Sequence, residues 1–426
     1  MDAYWNHCLT RKEMLLSGNR LEHVLFGYVV PALILFGIGG NILNLFVLLS
    51  TPIRNRSWLL SYLAMSDIVF LTFILPHSLA NYDVFAFNQH FRRYYLTYKL
   101  NLIAVTNWAS ALAVWVILLI CFERLIGVRY PLFARRYAID GSLWRTAVML
   151  CVLTMTGLLT AYTHISYDMI MKVFCNGTQL HAIPFAVDNP RWMSGSGLNR
   201  QWLRKFVLWN ARVHEIFVVF IPTVVILIAN VMLLIALKKR NNFLRTASHR
   251  PDPLATLART EQNITYTVCA IVTCFTLTQA PSGFVSAMLG FRGVSSPGWK
   301  QDTTVVTNFM VVVGKSINFL LFCLSSATFR QRLIALIKSK FSSGSETTSN
   351  FFSLILLIII YIRMLSPKTR FTTLGSNKFT HCETTAPLIL GSKRSRIPPT
   401  SITITTRTSA DAAFSVDELQ RFICTR

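Results

Sequence analysis

The sequence predicts an all-α membrane protein: a bundle of seven transmembrane helices, a short amphipathic helix after the seventh, and a disordered tail. Hydrophobic residues make up 53% of the 426 residues and charged residues only 14%, a composition too apolar for a soluble protein of this length. Seven apolar runs are long enough to cross a bilayer, whose hydrocarbon core of about 30 Å requires about 20 helical residues.

The apolar runs divide the chain into three parts. The predicted spans cover residues 23–49, 58–85, 96–128, 143–165, 206–237, 264–289 and 303–324. We therefore predict an N-terminal segment (1–22), a seven-span domain (23–340) and a tail (341–426). The tail is rich in Ser and Thr among basic residues and is expected to be mostly disordered. Its apolar segment 351–362 is too short to span a membrane. The alternatives for this segment are a membrane anchor and an error in the gene prediction.

The formal net charge of +24 reflects the loops between the spans rather than a nucleic-acid-binding surface. Lys and Arg concentrate in short segments that we place inside the cell, for example at Arg54, Arg56, Arg135, Lys238 and Lys239. This positive-inside bias predicts a multi-pass membrane protein with its N-terminus outside the cell.

A lone arginine marks the inner end of the third span. It lies in Glu123-Arg124-Leu125, shortly before Pro131-Leu132. An arginine where a membrane helix meets the cytoplasm is costly to place and needs a partner. The position therefore indicates a functional switch rather than packing.

Further markers occur in a fixed order along the chain. They are Gly40-Asn41, residues 63–67 (LAMSD), Glu123-Arg124-Leu125, Pro131-Leu132, Pro222, Phe275, Pro281, residues 318–322 (NFLLF) and Phe329-Arg330. In these markers the chain resembles the rhodopsin-like class (class A) of G-protein-coupled receptors over residues 23–340. Residues 277–283 (LTQAPSG) and 316–319 (SINF) look most like those of invertebrate FMRFamide and myosuppressin-type neuropeptide receptors and of the related serpentine type W chemoreceptors.

The resemblance implies a plasma-membrane receptor that binds an extracellular ligand and activates a heterotrimeric G protein. The ligand we expect is an amidated neuropeptide of the FMRFamide or myosuppressin kind; the alternative is an environmental small molecule. Arrestin is a further expected partner, through the tail. A transporter or channel is the rival class. The sequence has no GxSxG, HExxH or P-loop motif, so we expect no enzyme, and we expect no cofactor or metal.

The resemblance also assigns roles at the inner end of the bundle. Arg124 is expected to pair with Glu261 in the resting receptor and, with Pro131 and Leu132, to contact the G protein. Pro281, Asn318 and Phe322 are expected to belong to the activation switch.

Lys315 departs from the resemblance in an informative way. Rhodopsin-like receptors often hold a sodium ion at an aspartate in the second span, which is Asp67 here, but the serine that helps to bind it is replaced by Ala113. The corresponding positions in the seventh span are Gly314 and Lys315. Because a lysine at this depth is costly without a partner, we expect its ammonium to replace sodium beside Asp67. The alternative is a lysine that faces the first span or is neutral.

Polar residues in the outer halves of the spans are candidates for ligand binding, because polar side chains at membrane depth usually face the interior of a bundle. They are His77, Asn81, Thr106, Asn107, His214, Glu215, Gln279 and Asn308. Glu215 could accept a ligand arginine through two hydrogen bonds, or it could pair with Arg212 on its own helix. Thr106 and Val312 stand where monoamine receptors carry aspartate and opsins carry lysine, which disfavours amine and retinal ligands.

Two features concern the outer surface. The cysteine that the resemblance places in the third span would fall at Lys99, so the usual bridge to the second outer loop cannot form. Cys8 and Cys175 are the cysteines on the outer side of the predicted topology, and they could form a bridge or remain two free thiols. Asn176-Gly177-Thr178 is a glycosylation sequon in the same loop.

Overall fold

The computed structural model describes residues 7–49, 58–130, 142–187, 189–193, 200–246, 253–292, 297–325 and 329–335. Within these ranges, seven helices are long and apolar enough to cross a membrane. They are span 1 (Arg20–Val24, Leu25–Val29 and Val30–Leu49), span 2 (Trp58–Leu79), span 3 (Gln89–Arg129), span 4 (Ser142–Thr160, extended by Ala161–His164), span 5 (Arg200–His214, Glu215–Phe220 and Ile221–Thr246), span 6 (Pro253–Arg292) and span 7 (Pro297–Ser325). The predicted seven-helix fold is confirmed.

The helices differ from the predicted spans mainly in length. Span 3 begins at Gln89, seven residues before the predicted start at 96, because the side chain of Asn88 accepts a hydrogen bond from the Phe91 amide and caps the helix. Span 2 ends at Leu79, and a turn at residues 80–82 separates it from a short helix, Asp83–Ala86, near the predicted end at 85.

We call the end of the bundle that carries the N-terminus the outer end, after the predicted topology. Two spans contain a π-helical segment near this end, and both segments precede a proline. Leu25–Val29 is followed by Val30-Pro31, and Glu215–Phe220 by Ile221-Pro222. A proline ring clashes with the carbonyl four residues earlier and provides no N–H, so the wider turn relieves both problems. In span 1 the Val30 N–H donates to the Leu25 carbonyl. The Phe26 carbonyl instead accepts from the Ser78 hydroxyl of span 2 at 2.6 Å.

Glycines let span 1 approach span 7. A Cβ atom added at Gly40 would lie 2.7 Å from Cβ of Phe319, and one at Gly37 would lie 2.8 Å from Oγ of Ser316. Side chains at these positions would push the helices apart. The inner half of the bundle is an apolar core that includes Leu63, Ile117, Val272, Phe319 and Phe322, while other apolar side chains of the spans remain exposed, as expected for lipid contact.

The second outer loop forms a β-hairpin that the sequence analysis did not predict. Strand β1 (Tyr167–Phe174) pairs antiparallel with strand β2 (Gln179–Ala186). The connecting residues include Cys175 and Asn176 at φ 52° and 54° and Gly177 at φ 91°. Asn and Gly tolerate this left-handed conformation, so the tight turn suits the sequence.

Residues 329–335 form the short helix expected after span 7. Phe329 and Leu333, one helical turn apart, are buried, whereas Gln331 and Ala335 are exposed, so this helix is amphipathic. Arg330 donates from Nη1 to the carbonyls of Cys323 and Leu324 at 2.8 and 2.9 Å, which satisfies acceptors left open at the end of span 7.

Candidate functional site

A buried polar cluster lies at the centre of the bundle. The ammonium of Lys315 lies 3.0 Å from Oδ1 of Asp67, and each side chain is only 1% exposed. Asn318 donates from its amide to the second oxygen, Oδ2, of the same carboxylate. The ring of Phe70 lies 4.8 Å from Nζ of Lys315, a distance suited to a cation–π contact. The ammonium thus occupies the position expected from the sequence.

The cluster extends to span 1 through the backbone of span 7. Asn41 is fully buried and donates from Nδ2 to the carbonyls of Gly37 and Lys315 at 2.9 and 3.1 Å. The backbone of Lys315 therefore faces span 1, while its ammonium faces span 2. The buried ion pair of Lys315 and Asp67 has lost its hydration. The stability of the folded protein therefore depends on both partners being present.

The inner end of the bundle is described in part. Leu125 and Val128 of span 3 pack against Leu233, Leu237 and Cys269 of spans 5 and 6. Arg124, from the same turn, is half-buried and is not without an interaction partner.

Three of the expected inner residues lie outside this description. Pro131 and Leu132 are beyond the end of span 3, and the side chain of Glu261 is not described although its backbone belongs to the helix of span 6. The pairing of Arg124 with Glu261 stays a prediction. Phe322 is buried, with its ring 5.4 Å from that of Phe329, and Pro281 lies inside the span 6 helix.

A cavity of about 350 Å³ opens between the outer ends of spans 1, 2 and 7. Its lining combines two apolar residues with five polar ones: Glu22, Phe26, His77, Gln301, Thr304, Val305 and Asn308. Two of the predicted ligand-binding residues, His77 and Asn308, are therefore brought together. The remaining six do not line this cavity.

Those six residues occupy other positions. Asn81 is buried and donates to the His77 carbonyl at 2.9 Å, and Thr106 donates to the Leu102 carbonyl at 2.7 Å. Asn107 is exposed, and Glu215 is half-buried at the start of a π-helical segment. The ring of His214 lies 5.6 Å from that of Tyr162. Gln279 has a buried Nε2 without a hydrogen-bond acceptor in the described part of the chain.

Glu22 is a lining residue that the sequence analysis missed, because it was assigned to the N-terminal segment just before span 1. Its side chain is 13% exposed. Oε2 accepts from the Gly18 amide at 2.8 Å, and Oε1 lies 3.3 Å from Nε2 of His77. Asn19 accepts from the Glu22 amide at 2.7 Å, an N-cap whose sequence pattern could have placed the start of the helix earlier.

A cap of N-terminal residues and the β-hairpin covers the outer end. Cys8 and Cys175 form a disulfide, so of the two alternatives the bridge is the one present. Gln179 exchanges hydrogen bonds with the backbone of Leu9 at 2.7 and 3.2 Å. Asn176 is exposed at the tip of the hairpin, where a glycosyltransferase could reach it; its modification stays a prediction.

Arg92 joins this cap to span 3. Its guanidinium, in a residue only 1% exposed, donates to the carbonyls of Met14 at 2.5 Å, Ala86 at 3.0 Å and Leu180, and lies 3.3 Å from Nδ1 of His181. The hairpin is therefore held to span 3 by hydrogen bonds, in a protein that lacks the usual cysteine in that span.

We expect acid to weaken the cap. Burial, and then the positive charge of Arg92, lower the pKa of His181 below its usual value, with a smaller contribution of the same sign from Lys99 and an opposing one from Glu13. The unfolded chain therefore binds a proton at this histidine before the folded chain does, and stability falls as the pH drops below about 6.5. Thermal unfolding of purified protein between neutral pH and pH 5 tests this. His181→Gln should flatten the dependence, and an unchanged pH slope would contradict the assignment.

Seven apolar helices around a buried polar cluster that includes Asp67 and Asn318, with an arginine at the inner end of span 3 and an amphipathic helix after span 7, are features of a G-protein-coupled receptor. The model of the serpentine type 7TM GPCR chemoreceptor family, Srw, matches residues 28–340, and the chain belongs to this family. It is a multi-pass plasma-membrane protein of a receptor class that responds to extracellular ligands through G proteins.

Two relatives from Caenorhabditis elegans are described as candidate G-protein-coupled receptors. One is 44% identical over 346 residues, which cover 80% of this chain and 79% of the relative. The other is 22% identical over 316 residues, covering 72% and 68%. These similarities support the receptor class and the resemblance to type W receptors. They do not support a particular closeness to FMRFamide receptors.

Proposed function

We propose that the protein is a chemosensory receptor that binds an extracellular small molecule at the outer end of the bundle and activates a heterotrimeric G protein. The observation that carries this proposal is the match to a chemoreceptor family over a region that includes all seven spans. The outer cavity between spans 1, 2 and 7 supports it, because its lining combines apolar contacts from Phe26 and Val305 with polar groups that can orient a ligand, as small-molecule sites do.

The proposal includes an N-terminus outside the cell. Positive charges in the loops on the opposite side favour this orientation. The disulfide between Cys8 and Cys175 gives independent support, because disulfides persist mainly in oxidising compartments. Recruitment of arrestin by the phosphorylated tail belongs to the same proposal, although residues 336–426 lie outside the described part of the chain.

Span 7 offers a physical route from the cavity to the buried cluster. Gln301, Thr304, Val305 and Asn308 line the cavity, and their spacing places them on one face of the helix. Lys315 follows Asn308 by seven residues, two helical turns or about 10 Å along the same helix. A ligand that binds better to one position of span 7 than to another would shift the equilibrium between them, and the pairing of Lys315 would change with it.

At the inner end, we expect Glu261→Ala to raise basal signalling. Loss of the acid would release Arg124 and favour the outward position of span 6. A partly solvated ion pair contributes about 1 kcal/mol, which corresponds to a severalfold change in a two-state population. The measurement is basal nucleotide exchange by the G protein at matched surface expression. Unchanged basal exchange would remove Glu261 from the latch.

An amidated neuropeptide of the FMRFamide or myosuppressin kind is a second candidate ligand. The acidic residues at the outer end favour it, since Glu22 lines the cavity and Glu215 is half-buried in span 5, and either could receive a ligand arginine. Cells expressing the receptor should be exposed separately to water-soluble small molecules and to amidated peptides, with GDP release as the readout. A response to the first set alone supports chemosensing, and a response to amidated peptides alone replaces it with neuropeptide reception.

A further inference from the structure

The strongest unexplained feature of the outer cavity is its carboxylate. Glu22 is 13% exposed, and moving a charged carboxylate out of water is costly unless a partner compensates it. Among the other acids at the outer end, Asp83 pairs with Arg11 at 2.7 Å, and Asp302 accepts a hydrogen bond from the side-chain amide of Asn19 at 2.5 Å. The environment of Glu22 differs from both, because its carboxylate contacts His77 and the Gly18 amide.

The direct contacts of Glu22 do not require a positive charge. His77 lies between two groups: Nε2 is 3.3 Å from Glu22, and Nδ1 is 2.8 Å from the hydroxyl of Tyr95. A neutral imidazole satisfies both contacts if the tyrosine donates to Nδ1 and Nε2–H donates to the carboxylate. The other contact of the carboxylate is the neutral amide of Gly18. When His77 is neutral, the immediate neighbours of Glu22 do not compensate its charge.

The positive charges that act on Glu22 are His77, when it is protonated, and then Lys99. The ammonium of Lys99 lies 5.6 Å from the centre of the Tyr95 ring, and Lys99 is not among the residues that line the cavity. Among the described residues that line the cavity, Glu22 is therefore the formal anion, and none is a lysine or an arginine.

The rest of the lining suits an alkyl chain that carries a cation. Phe26 and Val305 provide apolar contacts, and the Phe26 ring packs edge-on against His77 at 5.2 Å between centroids. Gln301, Thr304 and Asn308 present amide and hydroxyl groups along span 7. These groups can accept further hydrogen bonds from an ammonium or guanidinium group.

We propose that this cavity binds the cationic group of the ligand, an ammonium or guanidinium on a short alkyl chain, with Glu22 as its counterion. The proposal rests on the proposed function and specifies the chemistry of its ligand. A small amine and the arginine of a peptide share this chemistry. The site differs from the one expected at Glu215, which does not line the cavity.

Agmatine, a guanidinium on a short alkyl chain, is a suitable probe, with its neutral urea analogue as the matched comparison. Binding to the purified full-length protein in lipid nanodiscs, without a G protein, separates this test from the test of signalling. We expect agmatine to bind more tightly than the urea analogue, and Glu22→Gln to weaken agmatine binding by about tenfold or more, as for a hydrogen bond to a charged group. Asp83→Asn removes an outer negative charge away from the cavity and should leave the preference intact.

Lys99→Met should change the affinity for agmatine in the direction opposite to Glu22→Gln. The proposal can therefore still be tested if the Glu22 variant does not fold. Without the competing ammonium, agmatine should bind more tightly than to the wild type.

A second pair of probes, arginyl-phenylalanine amide and its citrulline counterpart, identifies the source of the cation. A larger effect of Glu22→Gln on this pair indicates a peptide terminus. A larger effect on agmatine indicates a small amine. Equal binding of the charged and neutral probes, including no binding of either, overturns the cation site. Glu22-dependent binding without any G-protein response upholds the site and removes the proposed function.

Discussion

Replacing Lys315 by methionine is expected to destabilise the folded receptor by about 3–5 kcal/mol, the typical cost of removing one partner from a buried ion pair. Asp67 would keep the hydrogen bond from Asn318 but would lose the ammonium at 3.0 Å. Asp67→Asn should cost a similar amount, because it strands the ammonium. Lys239→Met, which removes an exposed lysine near the inner end of span 5, is the matched control and should change stability little.

The double substitution of Lys315 and Asp67 distinguishes an ion pair from two separate packing effects. Removing both charges leaves neither stranded, so the combined loss should be smaller than the sum of the single losses. Thermal unfolding in nanodiscs, together with the fraction of protein that reaches the cell surface, measures all variants. Additive losses would contradict the pairing.

Sodium provides a second measure of the same pair. The ammonium occupies the place beside Asp67 where a monovalent ion would bind, so ligand affinity of the wild type should respond alike to sodium and to a larger monovalent cation at equal ionic strength. Lys315→Ala opens that place and should make the affinity sensitive to sodium in particular. Strong sodium-specific inhibition of the wild type would indicate that the lysine does not replace the ion.

Arg92→Met is expected to release the outer cap from span 3. The guanidinium serves the carbonyls of Met14, Ala86 and Leu180, and a buried acceptor left without a donor costs about 1–3 kcal/mol. We therefore expect a loss of several kcal/mol for the cap, even though the disulfide still joins its two parts. Arg93, the exposed neighbour, carries the same charge and provides the control.

Hydrogen exchange locates the effect of Arg92→Met. Amides of strands β1 and β2 should exchange faster in this variant than in Arg93→Met, while amides in the middle of span 2 should be unaffected. Lysine at position 92 should rescue only part of the protection, because one ammonium cannot reproduce the geometry of a guanidinium. Equal exchange in the two methionine variants would show that Arg92 does not anchor the hairpin.

The spans could be predicted because a long apolar run has few alternatives to a membrane helix. Lys315 could be predicted for a related reason, since a charge inside such a run requires a partner and Asp67 lies at about the same depth. The π-helical segments were not predicted, although each precedes a proline in a sequence that otherwise favours a regular helix. Their cause, the clash at Pro31 and Pro222, is readable once the helices are known.

The outer end was less accessible to sequence reasoning, because its structure depends on contacts between distant segments. The hairpin strands lie in a loop with mixed polarity. Nothing in the spacing of Cys8 and Cys175 distinguishes a bridge from two free thiols. Glu22 and Arg92 are ordinary charged residues in the sequence. Glu22 is important because it is buried beside His77. Arg92 is important because it is buried beside the backbone carbonyls of three other segments.

The most direct test of the receptor function is ligand-dependent GDP release from a heterotrimeric G protein reconstituted with the purified protein in a lipid bilayer. Small amines and amidated peptides should be tested separately, with flux of ions and solutes followed in the same preparation. We expect at least one ligand to accelerate GDP release and none to open a flux. Ligand-dependent flux without any change in GDP release would contradict the receptor function and favour a transporter or channel.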